Sequence, residues 1–373
     1  MSVVAPIKVL VVDDSVVIRK LLTTALSGAS DVEVVGTAAN GKIALAKIPE
    51  LAPDVVTLDL EMPEMDGLET LKVLRVKWPR LPVIMFSTRT ERGAAATIDA
   101  LTNGASDYVT KPSNVGSMSL GIERIRDELL PKVRALAGRS APPTISTVLP
   151  VAARPTTAIR RVAAPQPVTL RRPIEVIALG ASTGGPAAVG TVLAALPASF
   201  PVPILIVQHM LPTFTSHFAQ RLGSLSKLRV IEAAGGETIE PGTVYLARGD
   251  FHLCVERKRE RGVLVLDKGM PENFCRPAVD VTFRSVAREY GAAALGVVLT
   301  GMGADGLAGA ELLQAAGANM IVQDEATSTV WGMPGLIARA GRANEVLPLA
   351  DIAPALLRLV GGARMPLAAG GRP

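Results

Sequence analysis

Histidine and cysteine are scarce in this chain: three and two residues out of 373. Cys254 and Cys275 stand far apart and suggest neither a disulfide framework nor a metal site; they fit a reduced, cytoplasmic protein. Aromatic residues make up only 3%, so the cores must be built from Ala, Val, Leu and Ile. Met1 to Leu10 lacks the basic start, apolar stretch and cleavage site of a signal peptide. No apolar run is long enough to span a bilayer, so direct membrane insertion is not expected. The overall hydrophobic content, 49%, carries no sign of general disorder. A chain of this length suggests two or three domains with sizeable cores.

The net charge of +5 and the pI near 9.3 invite a nucleic-acid reading, but the charge is local. Between Leu129 and Ile174 stand eight Lys or Arg residues and no acid, and removing those eight from +5 leaves −3 elsewhere. The same segment holds Pro142, Pro143, Pro150, Pro155, Pro165, Pro167 and Pro173. Such a composition cannot easily form a packed core and reads as a flexible basic tether over 131–172. No helix-turn-helix pattern or aromatic-rich basic patch accompanies it, so no nucleic-acid partner is expected. The tether separates a first unit, 1–130, from a second, 173–360, and a tail at 361–373 is expected to be disordered.

The first unit alternates short apolar runs with helical stretches. The runs Ile7–Val12, Val32–Gly36, Val55–Leu58, Val83–Phe86 and Asp107–Val109 predict a five-stranded parallel sheet covered on both faces. Asp13, Asp14, Asp59, Ser87 and Lys111 fall at strand ends. Three convergent carboxylates repel one another and suit a hard divalent cation such as Mg²⁺. A lysine and a hydroxyl nearby suit phosphoryl oxygens. Asp54 and Asp66, by contrast, read as structural.

The second unit is again α/β. Three apolar runs, Ile174 to Leu179, Ile204 to Val207 and Leu295 to Thr300, lead to Ser182, His209 and Asp305. In open α/β sheets, ligands bind in the crevice beyond the strand carboxyl ends. A serine, a histidine and an aspartate there suggest a nucleophile, a base and an orienting acid. Gly180-Ala181-Ser182-Thr183-Gly184 matches the G-x-S-x-G elbow, but no histidine follows Asp305, so the order differs from the Ser, acid, His of α/β-hydrolases. Gly184-Gly185-Pro186 opens a helix, and the stretch does not fit the dinucleotide pattern G-x-G-x-x-G. His217 reads as a surface or packing residue and His252 as one near a strand start. Arg276 reads equally as an anchor for an acidic substrate or as a salt-bridge residue.

Val11-Val12-Asp13-Asp14-Ser15, Leu58-Asp59-Leu60-Glu61-Met62-Pro63-Glu64-Met65-Asp66-Gly67, Phe86-Ser87 and Lys111-Pro112 resemble the receiver domains of response regulators. That resemblance implies phosphorylation of Asp59 by a histidine kinase. It implies Mg²⁺ held by Asp14, Asp59 and the Glu61 carbonyl, with Asp13 acting through water. It makes Lys111 a phosphoryl contact and Ser87 and Tyr108 a switch pair. Together with Gly180 to Gly185, Val207-Gln208-His209-Met210, Arg276-Pro277-Ala278-Val279-Asp280, Gly301-Met302-Gly303-Ala304-Asp305-Gly306 and Gln323-Asp324-Glu325-Ala326-Thr327, the chain is similar to the CheB family of chemotaxis protein-glutamate methylesterases. The likeness implies a receiver followed by a doubly wound α/β catalytic domain. It implies Ser182 as nucleophile, His209 as base, Asp305 as its partner, and the backbone amides of Thr183 and Met302 as oxyanion donors. It further implies chemoreceptors as substrate, no cofactor for hydrolysis, possible glutamine deamidation, and a cytoplasmic protein recruited to receptor arrays. The long tether departs from shorter members of that family.

Overall fold

The computed structural model describes residues 5–88, 90–112, 118–138, 172–259 and 261–362. The expected tether therefore lies mostly outside the described residues, as does the tail from 363 onward. Among the described residues no helix is long and apolar enough to cross a membrane.

The first unit runs β1 (Ile7–Val12), α1 (Val16–Ser27), β2 (Val32–Ala38), α2 (Gly41–Leu51), β3 (Val55–Asp59), α3 (Gly67–Lys77), β4 (Val83–Ser87), α4 (Glu91–Thr102), β5 (Asp107–Thr110) and α5 (Met118–Leu136). Its five strands are all parallel, in the order β2-β1-β3-β4-β5. Short polar side chains start the helices. Ser15, Asn40, Asp66 and Thr90 each accept from a backbone N–H in the first turn they cap. Asp66 forms a full capping box with Glu69, and Asp54 accepts from the Lys8 N–H at 2.8 Å, so both are structural, as expected. Helix α5 continues past the boundary expected at 130, because Leu129, Leu130 and Val133 are buried against Leu22 and Leu26 of α1.

The second unit runs β6 (Val176–Ala181), α6 (Gly185–Ala194), β7 (Ile204–Gln208), α7 (Pro212–Leu225), β8 (Arg229–Glu232), β9 (Thr243–Leu246), the antiparallel hairpin β10 (His252–Lys258) and β11 (Arg261–Asp267), and α8 (Val279–Tyr290). It closes with β12 (Ala294–Val298), α9 (Leu307–Ala315), β13 (Asn319–Gln323), α10 (Met333–Arg339), β14 (Glu345–Leu347) and α11 (Leu349–Gly362). The seven-stranded sheet is parallel, in the order β14-β13-β12-β6-β7-β9-β8. The chain leaves the neighbouring pair β12 and β6 in opposite directions, with the edge strand β8 formed before β9 fills the place beside β7. Such a reversal opens a crevice at the strand carboxyl ends. The strands there are fully buried and rich in Val, Ile, Leu and Ala, as a sheet covered on both faces requires.

The two units pack together. Tyr108 of β5 lies against Phe214 of α7 with ring centroids 4.6 Å apart, and its hydroxyl accepts from the Leu211 N–H at 3.2 Å. Arg221 of α7 pairs with Asp99 at 3.4 Å and donates to Thr102 Oγ1, both on α4. One apolar cluster runs through this contact and includes Ile98 and Leu101 with Phe214 and Phe218.

Helices α8 and α9 cross closely at Gly309, where an added Cβ would stand 2.5 Å from the Phe283 Cβ. Gly309→Ala should therefore destabilise the second unit by about 1–3 kcal/mol through overpacking. A lower denaturant midpoint with an unchanged slope is the expected reading.

Candidate active site

Three adjacent strands, β12, β6 and β7, deliver the three residues singled out from sequence. Ser182 follows β6, His209 follows β7, and Asp305 sits in the loop after β12. Ser182 and His209 line one cavity of about 500 Å³ with Thr183, Met302 and Phe274. The elbow is fixed by backbone bonds: the Ser182 N–H donates to the Thr300 carbonyl at 3.0 Å and the Gly185 N–H to the Ser182 carbonyl at 2.7 Å. Gly184 enters α6 at φ 78°, and a Cβ there would come within 2.3 Å of Thr329 Oγ1. Neither the Thr183 nor the Met302 N–H donates to another group in the described hydrogen bonds.

His209 Nε2 and Asp305 Oδ2 are 2.7 Å apart, with side-chain exposures of 12% and 2%. A carboxylate so deeply buried needs several donors. The amides of Val279 and Asp280, opening α8, reach its two oxygens at 2.6 and 3.0 Å, and Asn273 Nδ2 adds a bond of 3.0 Å. Burial on its own would raise the Asp305 carboxyl, but His209 and these amides hold it below the usual carboxylate range. Burial likewise disfavours the imidazolium, yet the bond to Asp305, with Cys275 adding to it, lifts His209 well above 6.5.

A second buried carboxylate stands beside the first. Asp280 Oδ1 accepts from the Gly306 and Gly309 amides at 3.0 and 2.6 Å, and its Oδ2 takes the other hydrogen of Asn273 at 2.9 Å. Burial, reinforced by the nearby charge of Asp305, pushes Asp280 up to about 6. Asn273 and Asp280 were missed in the sequence. Asp280 lies in a stretch that carried the resemblance but held no assigned role, and no local pattern marks Asn273.

The other two histidines do not join this site. His217 lies on α7. His252 opens β10, is 2% exposed, contacts the Met270 carbonyl through Nε2 and accepts from the Ala278 N–H at Nδ1. Arg276 is a structural ion-pair residue: its guanidinium binds Asp250 and the carbonyls of Lys268 and Gly269.

Over the cavity sits the first unit. Asp107 and Lys132 line it from that side with Tyr108. Thr183 Oγ1 donates to Asp107 Oδ2 at 2.5 Å, the Gly184 N–H donates to the Ser106 carbonyl at 2.9 Å, and Lys132 grips Asp107 Oδ1 at 2.9 Å.

The acidic crevice of the first unit assembles as expected. Carboxylate oxygens of Asp13, Asp14 and Asp59 lie within 4.8 Å of one another. Lys111 Nζ reaches Asp13 at 3.0 Å and Asp59 at 2.8 Å. Burial raises Asp59 to about 6 despite Lys111, so one lysine does not neutralise the cluster. The all-oxygen donors and the surplus negative charge fit a hard divalent cation. Asp14, Asp59, Glu61 and Lys111 share a cavity of about 190 Å³ there. Ser87 is fully buried, with its Oγ bonded to Thr97 Oγ1 and the Gly93 carbonyl.

Comparison with known proteins agrees with this geometry. The CheB methylesterase family model matches residues 177–356 and the response regulator receiver domain model residues 9–122. The protein-glutamate methylesterase/protein-glutamine glutaminase of Trichodesmium erythraeum is 48% identical over 95% of this chain and 99% of its own. The chain belongs to the CheB family. A Nocardioides relative of the same name is 49% identical over 94% of this chain and 95% of its own. The crystal structure of the Thermotoga maritima CheB methylesterase catalytic domain is similar to the second unit, with 42% identity and a TM-score of 0.50 over 50% of this chain and 99% of that one. The chain is thus a methylesterase with an N-terminal receiver.

Asp305→Asn keeps the shape of the acid but removes its charge, and should lower ester turnover by roughly 10²–10⁴-fold. His209 can accept a proton only when neutral, so a raised imidazole means activity is lost as pH falls through a value above 6.5. The acid limb of kcat/KM should move to lower pH in Asp305→Asn, which removes the charge that raises His209. A pH–rate profile on a small glutamyl methyl ester checks both.

Proposed function

We propose that this protein removes methyl groups from glutamyl γ-methyl esters on chemoreceptors by a Ser-His-Asp mechanism gated by its receiver. The observation that carries the reading is the buried His209–Asp305 pair, formed from the ends of the two strands that flank the one leading to Ser182, beside a cavity roofed by the receiver's β5 and α5. With Nε2 turned to Asp305, Nδ1 is the ring nitrogen left for the serine. Ser182 Oγ attacks the γ-carbonyl as His209 takes its proton. The carbonyl oxygen becomes an oxyanion that the Thr183 and Met302 amides stabilise, at roughly 3 kcal/mol per donor. His209 returns the proton to the departing methoxide, methanol leaves, and water resolves the acyl-enzyme by the same steps in reverse. Asp305 holds the ring and balances its charge throughout. The same attack on a glutamine releases ammonia. No cofactor enters the hydrolysis.

In the receiver, Asp59 is the phosphoryl acceptor from a histidine kinase. Asp14, Asp59 and the Glu61 carbonyl, with Asp13 through water, would hold Mg²⁺, which would supply charge neutralisation for phosphoryl transfer. Lys111 meets a phosphoryl oxygen once its present ion pairs rearrange. Ser87 and Tyr108 relay the change. Tyr108 is already committed to Leu211 and Phe214, so any rotation of its ring breaks a contact holding the receiver over the crevice. Phosphorylation then shifts the population toward an open form that admits a receptor helix. This assignment places the protein in the cytoplasm, working at receptor arrays.

Ser182→Ala should abolish methanol release from methyl-labelled receptor membranes while leaving the thermal midpoint within a degree or two. Retained turnover by that folded variant would end the serine-esterase reading. Asp59→Asn should lose labelling by a small phosphodonor, and wild-type labelling should require Mg²⁺; mass spectrometry locating the phosphoryl group elsewhere would contradict the assignment. A fragment beginning near Arg171 should demethylate receptors faster than the unphosphorylated full chain, and phosphorylation should narrow the gap. Equal rates would count against occlusion by the receiver.

A further inference from the structure

We propose that Phe274 is a specificity-determining residue of this chain, the contact that grips an apolar patch of the protein substrate beside the modified glutamate. The inference rests on the esterase reading above and extends it to how a polypeptide-borne ester is chosen.

Phe274 occupies one corner of a two-residue turn. Glu272 and Cys275 exchange both backbone hydrogen bonds, at 3.1 and 2.8 Å, and between them Asn273 and Phe274 have φ of 51° and 62°. Two successive corners in the left-handed region define a type I′ turn, whose second corner favours glycine. A bulky residue at positive φ is a rare outlier, and such outliers cluster at functional sites. The ring is also wholly exposed, at 104% relative accessibility. Leaving a phenyl group in water forgoes the burial that usually justifies one. Backbone and solvation both favour glycine here, yet the chain carries phenylalanine.

The turn itself is anchored on both sides. Asn273 Nδ2 bridges Asp280 and Asp305, and Arg276, two residues after Phe274, binds Asp250 and the carbonyls of Lys268 and Gly269. The Met270 carbonyl is anchored by His252. Phe274 is thus presented on a scaffold whose inner side clamps the catalytic aspartate, and it lines the cavity that contains Ser182 and His209. The other strongly exposed apolar residue of the catalytic domain, Met270 at 86%, lies on the same loop. Elsewhere in that domain, among the described residues, the exposed large hydrophobics Leu225, Leu312 and Leu357 reach only 37–43%. The two most exposed apolar side chains therefore share the loop at the mouth of the cleft.

A polypeptide substrate is the occupant this placement fits. A glutamyl ester on a helix has neighbours at i±3 and i±4 about 5–6 Å away. An apolar side chain among them can cover Phe274 while the ester carbonyl reaches Ser182. A free glutamyl ester has no such neighbour.

The test uses the full chain with Mg²⁺ and a small phosphodonor, comparing Phe274→Gly, Phe274→Asn and Phe274→Tyr. Glycine and asparagine both suit the left-handed backbone, so the fold should be kept and the thermal midpoint of Phe274→Gly should not fall. The two substrates are methyl-labelled receptor membranes and N-acetylglutamate γ-methyl ester. For Gly and Asn, KM for the receptor should rise about tenfold or more, and the receptor-to-small-ester ratio of kcat/KM should fall by a similar factor. Tyrosine should restore most of the loss. An unchanged KM for the receptor, or equal losses on both substrates, would overturn the proposal. If the wild-type chain cleaves the small ester but releases no methanol from receptors, the methylesterase reading falls, and this proposal with it.

Discussion

The buried charge of Asp305 is the constraint around which the catalytic domain is arranged. At 2% exposure a carboxylate survives only if donors replace its water, and four meet it: His209, Asn273 and the amides of Val279 and Asp280. Two of these come from the opening turn of α8, where unpaired N–H groups and the helix dipole both favour an anion. The geometry follows from that need. Helix α8 must point its N-terminus at the loop after β12, and the loop between β11 and α8, which bears Asn273, must fold back over it. Asp280 ties the same helix to Gly306 and Gly309, so the loop bearing Asp305 cannot drift from its donors.

The receiver is fastened to residues that the proposed chemistry uses. Thr183 supplies one expected oxyanion donor, and its hydroxyl is held by Asp107. Gly184, which starts the elbow helix, gives its N–H to Ser106. Tyr108 spans the join, with its ring on Phe214 and its hydroxyl on the Leu211 amide, two residues after His209. A receiver bound this way covers the crevice and also immobilises the elbow. Individually these are modest contacts, but the partners belong to one chain and meet at high effective concentration, so the closed form need not be strongly stabilised.

The two domains solve the same electrostatic problem in opposite ways. In the catalytic domain, fixed donors satisfy a single carboxylate and hold it ionised. In the receiver, burial and the proximity of Asp13 raise Asp59 despite Lys111. That leaves the acidic crevice with unmet negative charge, the condition in which a cation or a phosphoryl transfer changes local energies most. One site is built to stay as it is, the other to be altered.

Much of this was legible in the sequence for a physical reason. Parallel strands covered on both faces must be continuously apolar, so their positions, and hence the strand ends carrying Asp13, Asp59, Ser182, His209 and Asp305, could be read from local runs. The elbow glycines are equally local. What tertiary structure alone decided is everything that depends on strand order and on contacts between distant segments. That β12, β6 and β7 are neighbours, that Asn273 and Asp280 converge on Asp305, and that Arg276 serves Asp250 has no local signal, because each is a pairing across a long stretch of chain. The seating of Asp107 on Thr183 is of the same kind: a hydrogen bond between two folded surfaces, set by their shapes and written in neither residue's neighbourhood.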